Sequence, residues 1–497
     1  MSCLPLNEAT SGAEIPGGRH GREMVWPDER YPDHRTATMK HALAHLTVLL
    51  LAPLAGLHAA DPPQPRPNIV FIFTDDQPQA ALGCMGNPHV QTPNMDRLAR
   101  EGVLFENSFV TTAICCVSRA SLLTGQHAVR HGIDSFTEPL SEAQWTHTYP
   151  MLLREAGYRT AFLGKLAVGD PTTQPRNLCL PEDKFDLWYG FPQSFKFNQH
   201  GRYVTTVIEE KVTQFIKDQP QDRPFLLVVA LKEPHGPRDM EDPAVPAPAI
   251  PGPIPRPKTL TAEAFAKLPP AVRQSRNSVT PGPSFLKDDE TYQRYMAETY
   301  RSINRADIAV GRIMQALRDS GCDDNTVVIF GADNGSMEGA HRLVGKWNMY
   351  EESIRVPLII RDPRLPASTR GRRSQMALNI DIAPTIVASA GMPVHDRMQG
   401  MSLLPILRDP EATGRADWYY EHDCDTKSDG KPLPRCEGVR TDRWKYVRYK
   451  DTQPVQEELF DLQSDPLEEH NLATDATHTQ TLAHMSARCD ELRASLR

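Results

Sequence analysis

Cys115 and Arg119 stand four residues apart in the stretch 112–125, which ends in Thr124-Gly125. The stretch reads as a loop entering a short helix that stops at Gly125, a usual C-terminal helix residue. Side chains four apart on a helix share one face. A small nucleophile at the helix entrance, beside a fixed cation and at the positive end of the helix dipole, is a site for an anion. The plain alternative is two buried cysteines, Cys115 and Cys116, in an ordinary helix, because free cysteine packs well as a small apolar group. A second set of residues is acidic. Asp75-Asp76 and Asp333-Asn334 offer hard oxygen donors that suit Ca2+ or Mg2+ and not a soft metal. One Asp-Asp pair is common in turns, but here each of two pairs follows an apolar run of strand length.

Such residues need a frame. The runs 68–73, 158–163, 225–231, 326–330 and 357–360 are apolar and of strand length. Four of them end in charged or chelating groups: Asp75-Asp76, Gly164-Lys165, Glu233-Pro234-His235 and Asp333-Asn334. Amphipathic stretches lie around 93–99, 149–156, 204–216 and 292–317. The alternation predicts an α/β fold, a large, open, mainly parallel sheet with helices on both faces. In such sheets the site lies beyond the carboxyl ends of the strands, so the four ends converge on one place. The segment 236–287 is crowded with proline and has little period. It reads as a lid or substrate wall after His235, or else as a solvated insertion. The stretch 379–407 closes the first domain. Short strands at 419–421, 438–441, 445–449 and 458–462 and a helix at 478–496 then make a smaller α+β unit.

The chain has 497 residues and a formal net charge of -8, with an isoelectric point near 6.1. That acidity, with no long basic run, argues against nucleic acid as a partner. Residues 1–38 are polar and lack an apolar period. Met39-Lys40-His41, an apolar run over 43–57 and Ala59-Ala60 then follow the layout of a secretory signal. The run is short for a membrane span and holds Pro53, so no stable span is expected. Met39 is the expected start, residues 39–60 the signal, and the destination the periplasm or the exterior. An internal apolar helix or an N-terminal anchor is the alternative. Residues 67–407 form the expected catalytic domain and 408–497 the C-terminal subdomain. The nine cysteines have no metal-type CxxC spacing. Cys424 and Cys436 flank a turn-rich segment and are the expected bridge.

The motifs also match a known pattern. Cys115-x-Val117-Ser118-Arg119 followed by Leu123-Thr124-Gly125 resembles the sulfatase signature Cys-x-Pro-Ser-Arg with its Thr-Gly step. Thr74-Asp75-Asp76-Gln77, Lys232-Glu233-Pro234-His235-Gly236-Pro237, Ala332-Asp333-Asn334-Gly335 and Gly345-Lys346-Trp347-Asn348-Met349-Tyr350-Glu351 match further family motifs in order. Gly164-Lys165-Leu166-Ala167-Val168-Gly169 resembles the family's Gly-Lys-Trp-His-x-Gly. The end, from Glu458-Leu459-Phe460-Asp461-Leu462 to Asn471-Leu472, is also similar. The chain is thereby identified as a member of the formylglycine-dependent sulfatases of the alkaline phosphatase superfamily.

That resemblance implies an alkaline-phosphatase-like fold and hydrolysis of a sulfate ester, on a sulfated carbohydrate. It implies that a maturation enzyme oxidises Cys115 to formylglycine; only Cys115, and not Cys116, has Arg four places on. It implies Ca2+ (or Mg2+) on Asp75, Asp76, Asp333 and Asn334 together with position 115. Lys165, His235 and Lys346 would hold the sulfate oxygens. Hydrated formylglycine would attack sulfur while the metal, Arg119, Lys165 and Lys346 offset the charge and His235 protonates the leaving alcohol. Val117 stands where the family has Pro or Ala, and Ala167 where it has His. His127 and His341 are candidates to replace that His. Two other readings stay open: a phosphonate or phosphodiester hydrolase of the same superfamily, and an inactive sulfated-glycan-binding protein.

Overall fold

The run Asn-Ile-Val-Phe-Ile-Phe-Thr-Asp lacks polar alternation, as a strand covered on both faces requires. It forms β1 (Asn68–Asp75) at the middle of an eight-stranded sheet. The computed structural model describes residues 65–169, 180–192, 197–199, 201–236, 245, 248–278, 284–424 and 432–496. The expected signal and the residues before it lie outside this set.

The other strands of the sheet are β2 (Val103–Phe109), β3 (Arg159–Lys165), β4 (Leu187–Phe191), β5 (Phe225–Pro234), β6 (Thr326–Ala332), β7 (Leu358–Arg361) and β8 (Gly371–Leu378). Their order is β8-β2-β7-β6-β1-β5-β3-β4. Only β7 runs antiparallel to its neighbours, β2 and β6. The expected mainly parallel sheet is therefore present. Sequence reading missed β2, β4 and β8. β4 and β8 are the two sheet edges, and β8 carries Arg372, Arg373 and Ser374; a half-solvated edge does not need an apolar run.

Helices cover both faces. Ile69, Phe71 and Phe73 of β1 share a core with Ala120 and Leu123 of α2 (Cys115–Thr124), Leu153 of α3 (Tyr149–Glu155) and Ile386 of α6 (Ile382–Ser389). The alternate residues Val70 and Ile72 join Leu98 of α1 (Pro93–Glu101), Val212 of α4 (Val204–Lys217) and Ile313 of α5 (Asp289–Asp319). Each such side chain contributes about 1.5–3 kcal/mol when fully buried, so this double cover holds the central strands rigidly.

The C-terminal sheet is antiparallel, in the order β9 (Asp417–His422), β10 (Cys436–Thr441), β11 (Trp444–Tyr449), β12 (Gln456–Asp461). Along β9, Tyr419 packs with Met485 and Cys489 of α7 (Thr479–Ser495). Trp418 and Tyr420 point the other way, into a core shared with Phe109 and Leu378. The expected Cys424–Cys436 bridge is absent, and both thiols are free. The register pairs Cys436 with His422. Cys424 packs with Cys116 and Val117, whereas Cys436 joins Trp418 and Tyr420.

Part of the proline-rich segment, 237–244, 246–247 and 279–283, lies outside the described residues. The rest contains two short helices, Ala262–Lys267 and Pro270–Arg273. It packs on the stretch before Lys346: Ser278 bridges to Leu343, and Val344 N–H donates to Asn277 O at 2.9 Å.

Candidate active site

β6, β1, β5 and β3 are consecutive in the sheet and mutually parallel. Their carboxyl ends therefore share one edge, which brings together Asp333 and Asn334, Asp75 and Asp76, His235, and Lys165. Gly164, at φ +105, lets β3 approach β5; a Cβ there would lie 1.9 Å from Ala230 O. That close approach sets Lys165 beside Asp75. The loop after β2 enters α2 at Cys115, and Gly125 ends the helix in the left-handed region at φ +68. Seven non-glycine residues among those described have positive φ, and six of them, Asp76, Ala167, Glu338, His341, Arg342 and Trp347, lie on the segments that carry this site. Such residues cost of order 1–3 kcal/mol each and gather where geometry is over-determined.

The contacts are close. Cys115 Sγ donates to Asp75 Oδ1 at 3.4 Å and accepts from Lys346 Nζ at 2.8 Å. Lys165 Nζ donates to Asp75 Oδ2 at 2.5 Å. Arg119 Nε donates to Asp333 Oδ2 at 2.7 Å, and its Nη1 donates to Lys165 O. Lys346 Nζ also donates to Asp76 Oδ1. Asn334 Nδ2 donates to the same oxygen at 2.6 Å. His235 Nε2 lies 3.7 Å from Asp76 Oδ2, and 38 % of its side chain is exposed, unlike the buried groups around it. Asp75, Asp76, Cys115, Arg119, Lys165, His235, Asp333, Asn334 and Lys346 are thus within one cluster.

Electrostatics follow from burial and neighbours. Burial opposes the charge on Asp75, but Lys165, His235, Arg119 and Lys346 outweigh it and hold the carboxyl well below the usual range. Burial wins at Asp333, which rises to about 6 despite Arg119. At Lys346 burial is overcome by Asp76, Cys115 and the other carboxylates, so the ammonium is held charged. Burial, with Asp75, pushes the Cys115 thiol up, so the unmodified residue is a thiol and not a thiolate.

The donor set fits a hard divalent cation. One oxygen from each of Asp75, Asp76 and Asp333 lies within 4.8 Å of the others. Asn334 Oδ1 is buried with no hydrogen-bond partner, as is the donor Arg119 Nη2. The Asn334 amide that carries the orphan acceptor bonds Asp76, and the orphan donor Arg119 Nη2 lies 3.6 Å from Asp75 Oδ2; a cation would satisfy such an acceptor and an anionic substrate such a donor. Three carboxylates are balanced by Arg119, Lys165 and Lys346; a divalent cation makes the site net positive.

The sulfatase family model matches residues 67–392. The chain belongs to the sulfatase family. A second match, to the C-terminal region of N-sulphoglucosamine sulphohydrolase, covers residues 339–495. This sulfatase is 29% identical to an N-acetylglucosamine-6-O-sulfatase of Bacteroides thetaiotaomicron, over 85% of the chain and 86% of the relative. It is 28% identical to an ulvan-active sulfatase of Formosa agariphila, over 82% and 77%. It resembles a solved structure holding its substrate D-glucosamine-2-N,6-O-disulfate, with TM-score 0.70 and 26% identity over 87% of this chain and 98% of that one. It also resembles the phosphonate monoester hydrolase of Agrobacterium radiobacter, with TM-score 0.74 and 25% identity over 87% and 96%. The enzyme is a sulfuric ester hydrolase.

The sulfatase departs from its family pattern at Ala167, which is buried with φ +57. Neither expected replacement reaches the site. His127 follows α2 at its far end, about 14 Å along the axis from Cys115 at 1.5 Å per residue, and packs against Tyr419. His341 stacks on Tyr350 at 4.6 Å, and the charged groups around it are Lys445 and Asp465, not those of the site. Among the described residues His235 is the imidazole grouped with Cys115 and Asp75. Sequence reasoning missed Asn277, whose Nδ2 donates to Asn348 Oδ1 at 2.5 Å and to Lys346 O at 3.4 Å. No local signal marks it within the proline-rich segment.

Proposed function

We propose that this sulfatase hydrolyses a sulfate ester of a sulfated carbohydrate, with position 115 as formylglycine and Ca2+ (or Mg2+) held by Asp75, Asp76, Asp333, Asn334 and position 115. The observation that carries this reading is the convergence on Cys115 of an acidic cluster, Lys346 and the Arg119 helix face. The sugar preference rests on relatives named for N-acetylglucosamine-6-O-sulfate and ulvan activity and on the neighbour bound to a disulfated glucosamine.

Hydrated formylglycine supplies a hydroxyl nucleophile at neutral pH, and the cation supplies charge neutralisation. Arg119, Lys165 and Lys346 bind the sulfate oxygens, and their fixed positions let them stabilise charge that builds during transfer. His235, whose side chain is 38 % exposed, would protonate the departing alcohol oxygen; burial lowers its pKa, and Asp75 and Asp76 work against that. Val117, two residues after position 115, is buried in an apolar cluster with Ile114, Cys116 and Cys424. A formylglycine-generating maturation enzyme is the required partner. The reading includes export to the periplasm or exterior; among the described residues no helix is long and apolar enough to cross a membrane.

The likeness to the phosphonate monoester hydrolase favours one second reading, hydrolysis of a phosphonate ester in the same site. Purified, matured enzyme assayed on an aryl sulfate beside an aryl phosphonate separates the two. Faster turnover of the sulfate supports the first reading; turnover of the phosphonate alone overturns it. Turnover of neither, with retained binding of sulfated glycan, supports an inactive binding protein. A screen of sulfated mono- and oligosaccharides then names the sugar.

A further inference from the structure

Tyr420 lies on β9 of the C-terminal sheet, outside the sheet that carries the site, and is fully buried. Its hydroxyl accepts the Ala113 N–H at 3.2 Å and donates to Trp347 O at 2.7 Å. Ala113 is two residues before Cys115, and Trp347 directly follows Lys346. One phenol therefore joins the two chain segments whose side chains meet at the nucleophile. The next residue continues the brace: Glu421 N–H donates to Thr111 O at 3.1 Å, and Glu421 Oε1 accepts from Val129 N–H at 2.9 Å. Burial holds the Tyr420 pKa well above the usual phenol range, so the hydroxyl keeps the proton it donates.

The far partner needs such a hold. Trp347 has φ +86, a left-handed conformation that is unusual for a bulky residue. Its neighbour Lys346 must still place Nζ 2.8 Å from Cys115 Sγ. Strained backbone of this kind persists only where surrounding contacts fix it. The Tyr420 bond to the Trp347 carbonyl is one such contact, and its second bond refers that carbonyl to the nucleophile loop.

We propose that Tyr420 is a positioning residue for sulfate-ester hydrolysis: its hydroxyl clips the Cys115 loop to the Lys346 segment and so makes the C-terminal sheet part of the catalytic apparatus. This rests on the reading of Cys115 and Lys346 as catalytic. A misplacement of about 1 Å costs on the order of 10²-fold in rate, so losing the clip lowers turnover more than binding.

Tyr420→Phe keeps the ring and removes only the hydroxyl. The control is Tyr419→Phe, one residue away on the opposite face, whose hydroxyl donates to Glu437 at 2.6 Å. On an aryl sulfate, Tyr420→Phe should lower kcat by about tenfold or more with KM within about twofold, the sign of an interaction lost in the transition state. Tyr419→Phe should change neither. 4-Aminophenylalanine at position 420 restores a donor and should recover part of kcat. By hydrogen exchange, Tyr420→Phe should lose protection at the Ala113 amide, while Tyr419→Phe should not. A kcat within about twofold of the parent, or an equal loss in Tyr419→Phe, overturns the proposal. If Tyr420→Phe does not fold, exchange in the parent decides: a rapidly exchanging Ala113 amide overturns the clip. A parent that turns over no sulfate ester breaks the functional reading instead, and the exchange experiment still tests the clip.

Discussion

Lys346 Nζ donates to Cys115 Sγ at 2.8 Å although the two residues are 231 apart in sequence. The same ammonium donates to Asp76, so one buried cation serves the nucleophile position and the acidic cluster together. Lys346→Ala should lower kcat by about 10²–10³-fold, as expected for loss of one preorganised electrostatic contact. Lys346→Arg should not rescue it, because a planar fork does not replace a compact point charge in a buried site. Steady-state kinetics on an aryl sulfate checks both. A loss below about tenfold would remove Lys346 from the reaction.

Cys115 and Cys116 face different surroundings. Cys115 contacts Asp75 and Lys346, whereas Cys116 sits in an apolar cluster with Ile114, Val117 and Cys424. Cys115→Ala should abolish turnover. Cys116→Ala should keep it and lose about 1 kcal/mol or more of stability through the void it leaves. Peptide mass analysis should show an aldehyde at position 115 when a maturation enzyme is co-expressed. Equal loss of activity in both variants counts against the assignment.

Metal removal makes the third test. Without the cation, three carboxylates and three cationic side chains cancel, and the pull on a sulfate anion weakens. Chelation should abolish activity, and Ca2+ or Mg2+ should restore it. Asp333→Ala and Asn334→Ala should each lower the metal content measured by atomic emission. Full activity of metal-free enzyme would refute the site.

Ala167 leaves one imidazole, His235, in the Cys115 group among the described residues. By the family resemblance, the His that Ala167 replaces would help expel sulfate from the sulfated intermediate, and a missing general base slows such a step by about 10²–10⁴-fold. Rapid mixing should therefore show a burst of released alcohol before the slower steady state. His127→Ala should leave the burst unchanged, because His127 is at the other end of α2. A change in the burst on His127→Ala would show that the imidazole acts at a distance the structure does not allow.

Glu458 tests the join between the two sheets. Its carboxylate accepts from Tyr350 Oη at 2.7 Å and Tyr449 Oη at 2.5 Å. Burial dominates and pushes it up to about 7. A carboxyl whose folded pKa lies above its unfolded value, about 4.3, contributes stability below that value and loses it as pH rises to about 7. The parent should therefore lose thermal stability relative to Glu458→Gln as pH rises through this window. A constant difference in Tm across it would mean that Glu458 does not titrate there.

The sequence by itself determined the central frame and the chemistry of the cluster. Strands such as 68–73 and 225–231 are buried on both faces, so they must be apolar throughout, and their ends must carry the polar groups that meet solvent or ligand. Asp75, Lys165, His235 and Asp333 were legible for that reason. The edge strands β4 and β8 were not, since a one-sided strand has no such constraint. Only the tertiary structure decided which long-range partners meet. It separated Cys424 from Cys436, removed His127 and His341 from the nucleophile, and brought Asn277 and Tyr420 to the Lys346 segment. Those relations depend on packing between elements far apart in the chain, and a hydrogen bond from a distant strand leaves no periodicity or spacing in the residues beside either partner.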